Sequence, residues 1–220
     1  MVGLIGILAV AGCSDPVSDS SEQSYEISQP VGTLAVDARA AKVTLETGDG
    51  PVTVTEILRY SNDKPATSHT VDGDTLKLSE TGCGSGVNVR CDVEYQIRVP
   101  RQTAASITTQ AGPVTVRGLD GRLTVATDAG TVNGDGLTSA STVVTTKAGL
   151  VKLVYAAAPD QVTAETDVGG VEVRVPGGQS YAVDISTTVG ASDVSVDRDA
   201  GSAHRISVRS KVGAVRIAPV

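Results

Sequence analysis

With 220 residues the chain is long enough to bury one core, and the absence of Phe and Trp requires that core to be thin, filled by Val, Leu, Ile, Ala and Thr. Val and Thr recur throughout, and β-branched residues favour strands over helices. A formal net charge of −7, with no Lys/Arg cluster to offset it, excludes a nucleic-acid binder or a protein held on anionic lipid by charge alone.

The chain opens on an apolar run, Met1 to Val10, that closes on Val10-Ala11-Gly12-Cys13. Small residues directly before a Cys at the end of a short apolar run have the form of a bacterial lipoprotein signal, with residues 1–12 removed and Cys13 carrying the lipid. The run is too short to span a bilayer as a helix. No Lys or Arg precedes Arg39, so the usual positive start is missing and would have to come from a translation start upstream of Met1. The alternative is a conventional signal peptide followed by a chance Cys. Two acyl chains would make a stable anchor where one is marginal. Residues 13–24 then read as a lipidated flexible tether: Ser14 to Ser24 (SDPVSDSSEQS) is polar and aperiodic, with a reach of roughly 17–20 Å. Residues 25–220 form the folded domain.

From there a template recurs about every 20 residues, the mark of one supersecondary unit stacked on copies of itself. A glycine is preceded three places earlier by Thr or Ser and followed two and four places later by aliphatics. The copies centre on Gly50 (with Thr47), Gly112 (Thr109), Gly130 (Thr127), Gly149 (Thr146), Gly169 (Thr166), Gly190 (Thr187) and Gly213 (Ser210). In the Gly190 copy the aliphatics Val194 and Val196 come two residues late. Before each glycine, positions −7, −5, −3 and −1 alternate with polar residues such as Gln110, Asp128, Lys147, Asp167 and Lys211. That is the pattern of a strand with one buried and one solvated face. After the glycine the inward parity resets, which marks a corner. Gly118, Gly136, Pro159 and Pro176-Gly177-Gly178 then mark the far turns.

The pattern predicts an all-β chain, a β-solenoid resembling a single-stranded β-helix. Thr ladders would line its inside, and Asp128, Lys147 and Asp167 would stack outside with alternating sign. The alternative is an antiparallel β-sandwich of repeated hairpins. Residues 56–100 break the template. An Asp72-Gly73 turn precedes alternating Thr75 to Leu78, and Val93 to Val99 is a clean strand before Pro100. This predicts an antiparallel excursion. With Cys13 acylated, Cys83 and Cys91 remain as a pair in an oxidising compartment. Their disulfide would close a short loop and contribute roughly 2–3 kcal/mol. A metal site is the rival reading, with neither a CxxC nor a neighbouring His in its favour.

Residues with catalytic potential have plainer explanations. Asp72, Asp120 and Asp135 each precede a glycine, which is turn chemistry, and Asp74 belongs to the first of those turns. His69 and His204 lie in polar segments far apart. There is no GxSxG, no GxGxxG opening a helix, and no nonapeptide calcium repeat. Sugar subsites would have only five Tyr for platforms. No catalytic residue, metal ligand or cofactor is assigned.

The run from Val71-Asp-Gly-Asp-Thr-Leu-Lys-Leu78 through Tyr95-Gln-Ile-Arg-Val-Pro100 and Thr109-Gln-Ala-Gly-Pro-Val-Thr-Val-Arg-Gly118 resembles the DUF4097 family of adhesin-type β-strand repeat proteins. The resemblance extends over about residues 30–218, and its actinobacterial lipoprotein form is the most similar. It implies an envelope-associated, solenoid-like domain and supplies no catalytic residues. The expected function is therefore a non-catalytic module for adhesion, interaction or scaffolding. It would be anchored by lipid at the outer face of the plasma membrane, with a wall polymer or envelope protein as partner and no nucleic acid. A β-helix enzyme acting on wall polysaccharide and an envelope-stress sensory lipoprotein are the alternatives.

Overall fold

The computed structural model describes residues 19–61, 63–83 and 91–220, so Cys13 and the leader lie outside the described residues. Those residues form 18 strands and no helix. One repeat shows how. Strand β11 (Ser141–Ala148) runs to a corner at Gly149, and β12 (Val151–Tyr155) returns on the other side.

The strands before the corners stack in parallel into one sheet: β7 (Ala104–Ala111), β9 (Leu123–Ala129), β11, β13 (Gln161–Val168), β17 (Arg205–Val212) and β15 (Ala182–Val189). Those after the corners build a second parallel sheet: β8 (Val114–Arg117), β10 (Val132–Leu137), β12, β14 (Val171–Val175), β18 (Val215–Pro219) and β16 (Ser192–Val194). The result is a two-sided β-solenoid. Val114, Val132, Val151 and Val171 lie opposite one another in turn and are buried, as the repeat predicts. Burying one such side chain contributes about 1.5–3 kcal/mol.

The polar column is equally regular. Thr109, Thr127, Thr146, Thr166, Ser210 and Thr187 follow in register from rung to rung. Ser210 Oγ donates to Gly169 O at 3.2 Å, Thr187 Oγ1 to Gly213 O at 3.3 Å, and Thr109 Oγ1 to Ala111 O at 2.9 Å. The buried hydroxyls of Thr127, Thr146 and Thr166 find no protein partner. The ladder is therefore only partly hydrogen-bonded.

Glycine is required because the corners are stacked tightly. A Cβ on Gly130 would stand 2.1 Å from Gly112 O, and one on Gly169 would stand 1.7 Å from Gly149 O. Each carbonyl sits almost against the next Cα.

At the N-terminal end β2 (Thr33–Thr47) passes from one sheet to the other. Its first half lies between β7 and β5 (Thr75–Glu80), and its second half between β8 and β6 (Cys91–Val99). The antiparallel excursion is present. β4 (Thr67–Asp72) forms a hairpin with β5, and β3 (Val52–Tyr60) runs antiparallel to β6. Cys83 and Cys91 form the predicted disulfide.

Four expectations change. Position −1 faces outward, as at exposed Val168, Val189 and Val212, because the chain starts its corner one residue before the glycine. The copy at Thr47 and Gly50 is not a rung corner: Gly50 lies in the β2–β3 turn, and Ala41 fills the glycine column beneath Gly112. Ala38 takes the ladder position opposite Thr109, and on its other side Glu80 reaches in to accept the N–H groups of Arg39 (2.9 Å) and Ala40 (3.0 Å).

The stretch read as a tether, 13–24, loses its second half to β1 (Asp19–Ile27), which pairs along all of β3. Its side chains are mostly exposed on both faces, so backbone pairing holds it and no apolar period announces it. Finally, the rungs are not stacked in chain order. The last rung, β17–β18, is inserted beneath the one before it, β15–β16. Val194 is therefore in register, opposite Ile217, and Ser192 occupies the place of Val215.

Candidate interaction surfaces

The outward positions of both sheets form long polar faces. On the first sheet, Lys147 bonds Asp128 and Lys211 bonds Asp167, each at 2.8 Å, so the predicted alternation of charge is realised across rungs. Arg209 stands between Glu165 (3.0 Å) and Asp184 (3.7 Å) on the strands flanking it.

The second sheet is hollowed near its N-terminal end into a trough of about 500 Å³. Thr44, Thr55 and Thr115 contribute hydroxyls, and Lys42, Glu46 and Arg117 stand around them. Strand alternation places these side chains on one face, from β2, β3 and β8. Lys42 Nζ lies 3.0 Å from Glu94 Oε1, to which Gln96 Nε2 also donates (3.1 Å), and Arg117 pairs with Glu46. Partial burial opposes the charge on Glu94. The bonds from Lys42 and Gln96 outweigh it, with Arg59 adding to them, and hold the carboxyl below its usual range. Arg98, in the same trough, has no hydrogen-bond or ion-pair partner among the described residues. The trough thus offers hydroxyls, carboxylates and cations at close spacing, groups that hydrogen-bond hydroxylated or charged chains.

The residues weighed for chemistry are dispersed. Asp72 pairs with Lys77 beside the β4–β5 turn (2.9 Å). Asp120 lies in the turn after β8, whereas Asp135 lies within β10 opposite Arg117, so Asp135-Gly136 forms an irregularity of that strand and not the far turn that the sequence predicts. His69 stacks on Tyr25 with ring centroids 4.2 Å apart, and His204 contacts Pro159 O at 2.9 Å in another part of the molecule. Tyr95, Tyr155 and Tyr181 are fully buried and offer no sugar platform. Among the described residues no three or more of His, Cys, Asp and Glu gather to hold a metal ion.

A buried polar cluster, unread in the sequence, closes the N-terminal end. Glu56 is 5% exposed and accepts from Tyr25 Oη (2.6 Å) and Thr67 Oγ1 (2.7 Å). Burial and the adjacent carboxylate push the Tyr25 hydroxyl well above its ordinary range, so it donates at any ordinary pH. The legible hint was a Glu at an inward parity of β3, between Val54 and Leu58.

Fold and surfaces together define a two-sided β-solenoid with polar outer faces and an antiparallel cap. Solved structures share this architecture. A "putative adhesin" from Bacteroides fragilis aligns with 93% of this chain and 99% of its own at 15% identity and a TM-score of 0.52. A "putative cell adhesion protein" from Clostridium sporogenes aligns with 92% of this chain and 100% of its own, also at 15% identity, with a TM-score of 0.50. At such identity the likeness is one of fold. No family model and no curated protein sequence matches the chain.

Proposed function

We propose that the chain is a cell-envelope lipoprotein of the DUF4097 type, whose solenoid serves adhesion or scaffolding without catalysis. The observation that carries this reading is how the repeat is used. Its recurring positions go to core columns, glycine corners and cross-rung ion pairs, and what faces out is two long, hydroxyl- and charge-rich surfaces. The adhesin-like neighbours support it at the level of fold. Five residues separate Cys13 from β1. With a lipid on Cys13, the capped end would lie within ~20 Å of the bilayer, and the nine spacings of the ten-strand stack would carry the other end about 43 Å further. In this reading the trough around Arg98 contacts a wall polymer or envelope protein.

The test is cross-linking of the chain on intact cells, with mass spectrometry of the membrane fraction. Diacylglycerol on Cys13, and capture of an envelope component that Arg98→Glu weakens, are expected. An unacylated Cys13 would remove the anchor, and cleavage of a wall glycan abolished by loss of one carboxylate would replace scaffolding with catalysis.

A further inference from the structure

The two ends of the solenoid are finished differently. The N-terminal end is closed by antiparallel strands β1, β3 and β4 and carries the acidic residues Asp19, Glu22 and Glu26 along its edge. The C-terminal end is the rung β15–β16, and among the described strands β15 pairs only with β17 and β16 only with β18. Its core residues Val183, Ile185 and Val194 are half-buried, while Ile206, Val208 and Ile217 directly beneath them are 1% exposed or less.

A strap runs along the turn side of this end, and its Arg198 borders the hollow lined by Ile185, Thr187 and Val194. Tyr181 N–H donates to Asp197 O, and Asp199 N–H donates to Tyr181 O. Ala182 N–H points inward to His204 O. Alternation along the strand then turns the backbone groups of Val183, Ile185 and Thr187 outward. The edge carries no Lys or Pro, and its acids are neutralised from the rung below, Asp184 by Arg209 (3.7 Å) and Asp193 by Arg216 (3.6 Å). Exposed Val189, beside Val212, extends the apolar area round the corner.

We infer that this end binds a second copy of itself, by two-fold antiparallel pairing of β15 on β15 and β16 on β16, so that two solenoids join end to end. The occupant must present two strand edges spaced one sheet separation apart with an apolar strip between them. A two-fold copy of the same end does so, whereas a single extended peptide satisfies one edge and leaves the strip wet.

Centring β15 on Ser186 is one of two registers that overlap seven residues, and it is the one that leaves Ala182, next to the strap at Tyr181, outside the pairing. It sets Ile185 opposite Thr187 and Val183 opposite Val189, and it places Asp184 against Thr188 and not against its own copy. A rung of seven or eight residues in two layers presents about 500 Å² per copy, hence ~1,000 Å² in all. That is the lower bound for a specific interface, so the dimer is weak, with a dissociation constant on the order of 10–100 µM.

Ser186 is exposed and points away from the core, so changing it leaves the fold intact. Sedimentation of the full chain between about 1 and 500 µM is expected to show a monomer–dimer equilibrium. Ser186→Lys sets like charges opposite each other and is expected to weaken it at least tenfold, with an unchanged unfolding midpoint. Ser186→Cys, oxidised at the same concentrations, is expected to yield a covalent dimer, because residues opposite each other across an antiparallel pair lie within disulfide reach. Ser20→Cys on β1 and the unsubstituted chain serve as controls, the latter reporting any link through Cys13. A monomer throughout the range, a dimer indifferent to Ser186→Lys, or cross-linking no better at 186 than at 20 would each overturn the proposal. So would preference for a foreign strand over a second copy.

Discussion

Three glycines separate the two reasons the repeat demands that residue. Gly50 has a φ of +96°, yet a Cβ there would meet nothing within 4 Å. Gly130 lies outside the left-handed region, but its Cβ would stand 2.1 Å from Gly112 O. Gly169 combines both faults, with a φ of +146° and Gly149 O at 1.7 Å. Gly50→Ala should therefore cost only the backbone strain, about 1–2 kcal/mol. In Gly130→Ala the carbonyl must retreat by about 1.3 Å to reach ordinary contact. That would break the adjoining inter-rung bonds, Gly112 N to Ala129 O and Gly130 N to Ala148 O, both 3.0 Å. Two buried bonds and the local repacking amount to roughly 3–4 kcal/mol. Gly169→Ala should exceed both, at about 4–6 kcal/mol. Guanidinium unfolding with the disulfide intact measures all three. If Gly130→Ala costs no more than Gly50→Ala, the stacking of carbonyls on Cα atoms is not what makes the corners glycine.

Smaller perturbations test the rest of the packing. Thr146→Val removes a buried hydroxyl that has no protein partner and should be neutral or stabilising by up to about 1 kcal/mol, whereas Ser210→Ala should cost about 1 kcal/mol with its bond to Gly169 O; unfolding midpoints of the pair decide. Glu94 is held below its usual range, so its pairing with Lys42 stabilises fully above pH ~4.5 and is lost as pH falls through the lower folded value. Glu94→Gln should flatten that part of the stability–pH curve by lowering stability at neutral pH, and leave the acid end, below the folded value, nearly unchanged. Reducing the Cys83–Cys91 bond should cost about 2–3 kcal/mol and should act on the β5–β6 rung, which hydrogen exchange can localise.

Positions −3, 0, +2 and +4 were legible in the sequence because every rung imposes the same steric demand on them, and one side chain out of type would break a column. Other features obey different physics. β1 is held by backbone bonds to β3, so DSSEQS could be polar on both faces and read as a tether. Ala41 stands in the glycine column on the rung where the outward neighbours are β5 and β6, which the Cys83–Cys91 bond ties together. Lacking both Thr and Gly, that rung was invisible, and Gly50 in the adjacent turn was read in its stead. The trough draws side chains from β2, β3, β6 and β8, which come together only when β2 is inserted between later strands. No local pattern encodes that insertion.

The exchanged order of the last two rungs follows from which one tolerates solvent. The inner rung supplies Ile206, Val208, Val215 and Ile217, all buried, and the outer rung offers Ser192 where the inner has Val215. Burying Ser192 between neighbours would cost about 1–3 kcal/mol without a partner for its hydroxyl, so the more apolar rung goes inside although it is made last. Yet the two share one template: Ile185, Thr187 and Gly190 match Val208, Ser210 and Gly213 in register, and that equivalence kept the order illegible. The same equivalence has a consequence for a chain ending at His204. β15 and β16 lose β17 and β18, the strands they pair with, but β13 and β14 now expose edges of the same shape, and the six residues from Pro176 to Tyr181 are free to close the turn. The truncated chain should redock its end rung directly, keep slow amide exchange along β15, and lose about one rung's worth of stability, as a one-dimensional stack does. Fast exchange throughout residues 182–194, with β11 and β13 still protected, would show that the two rungs are not interchangeable and that the order is encoded elsewhere.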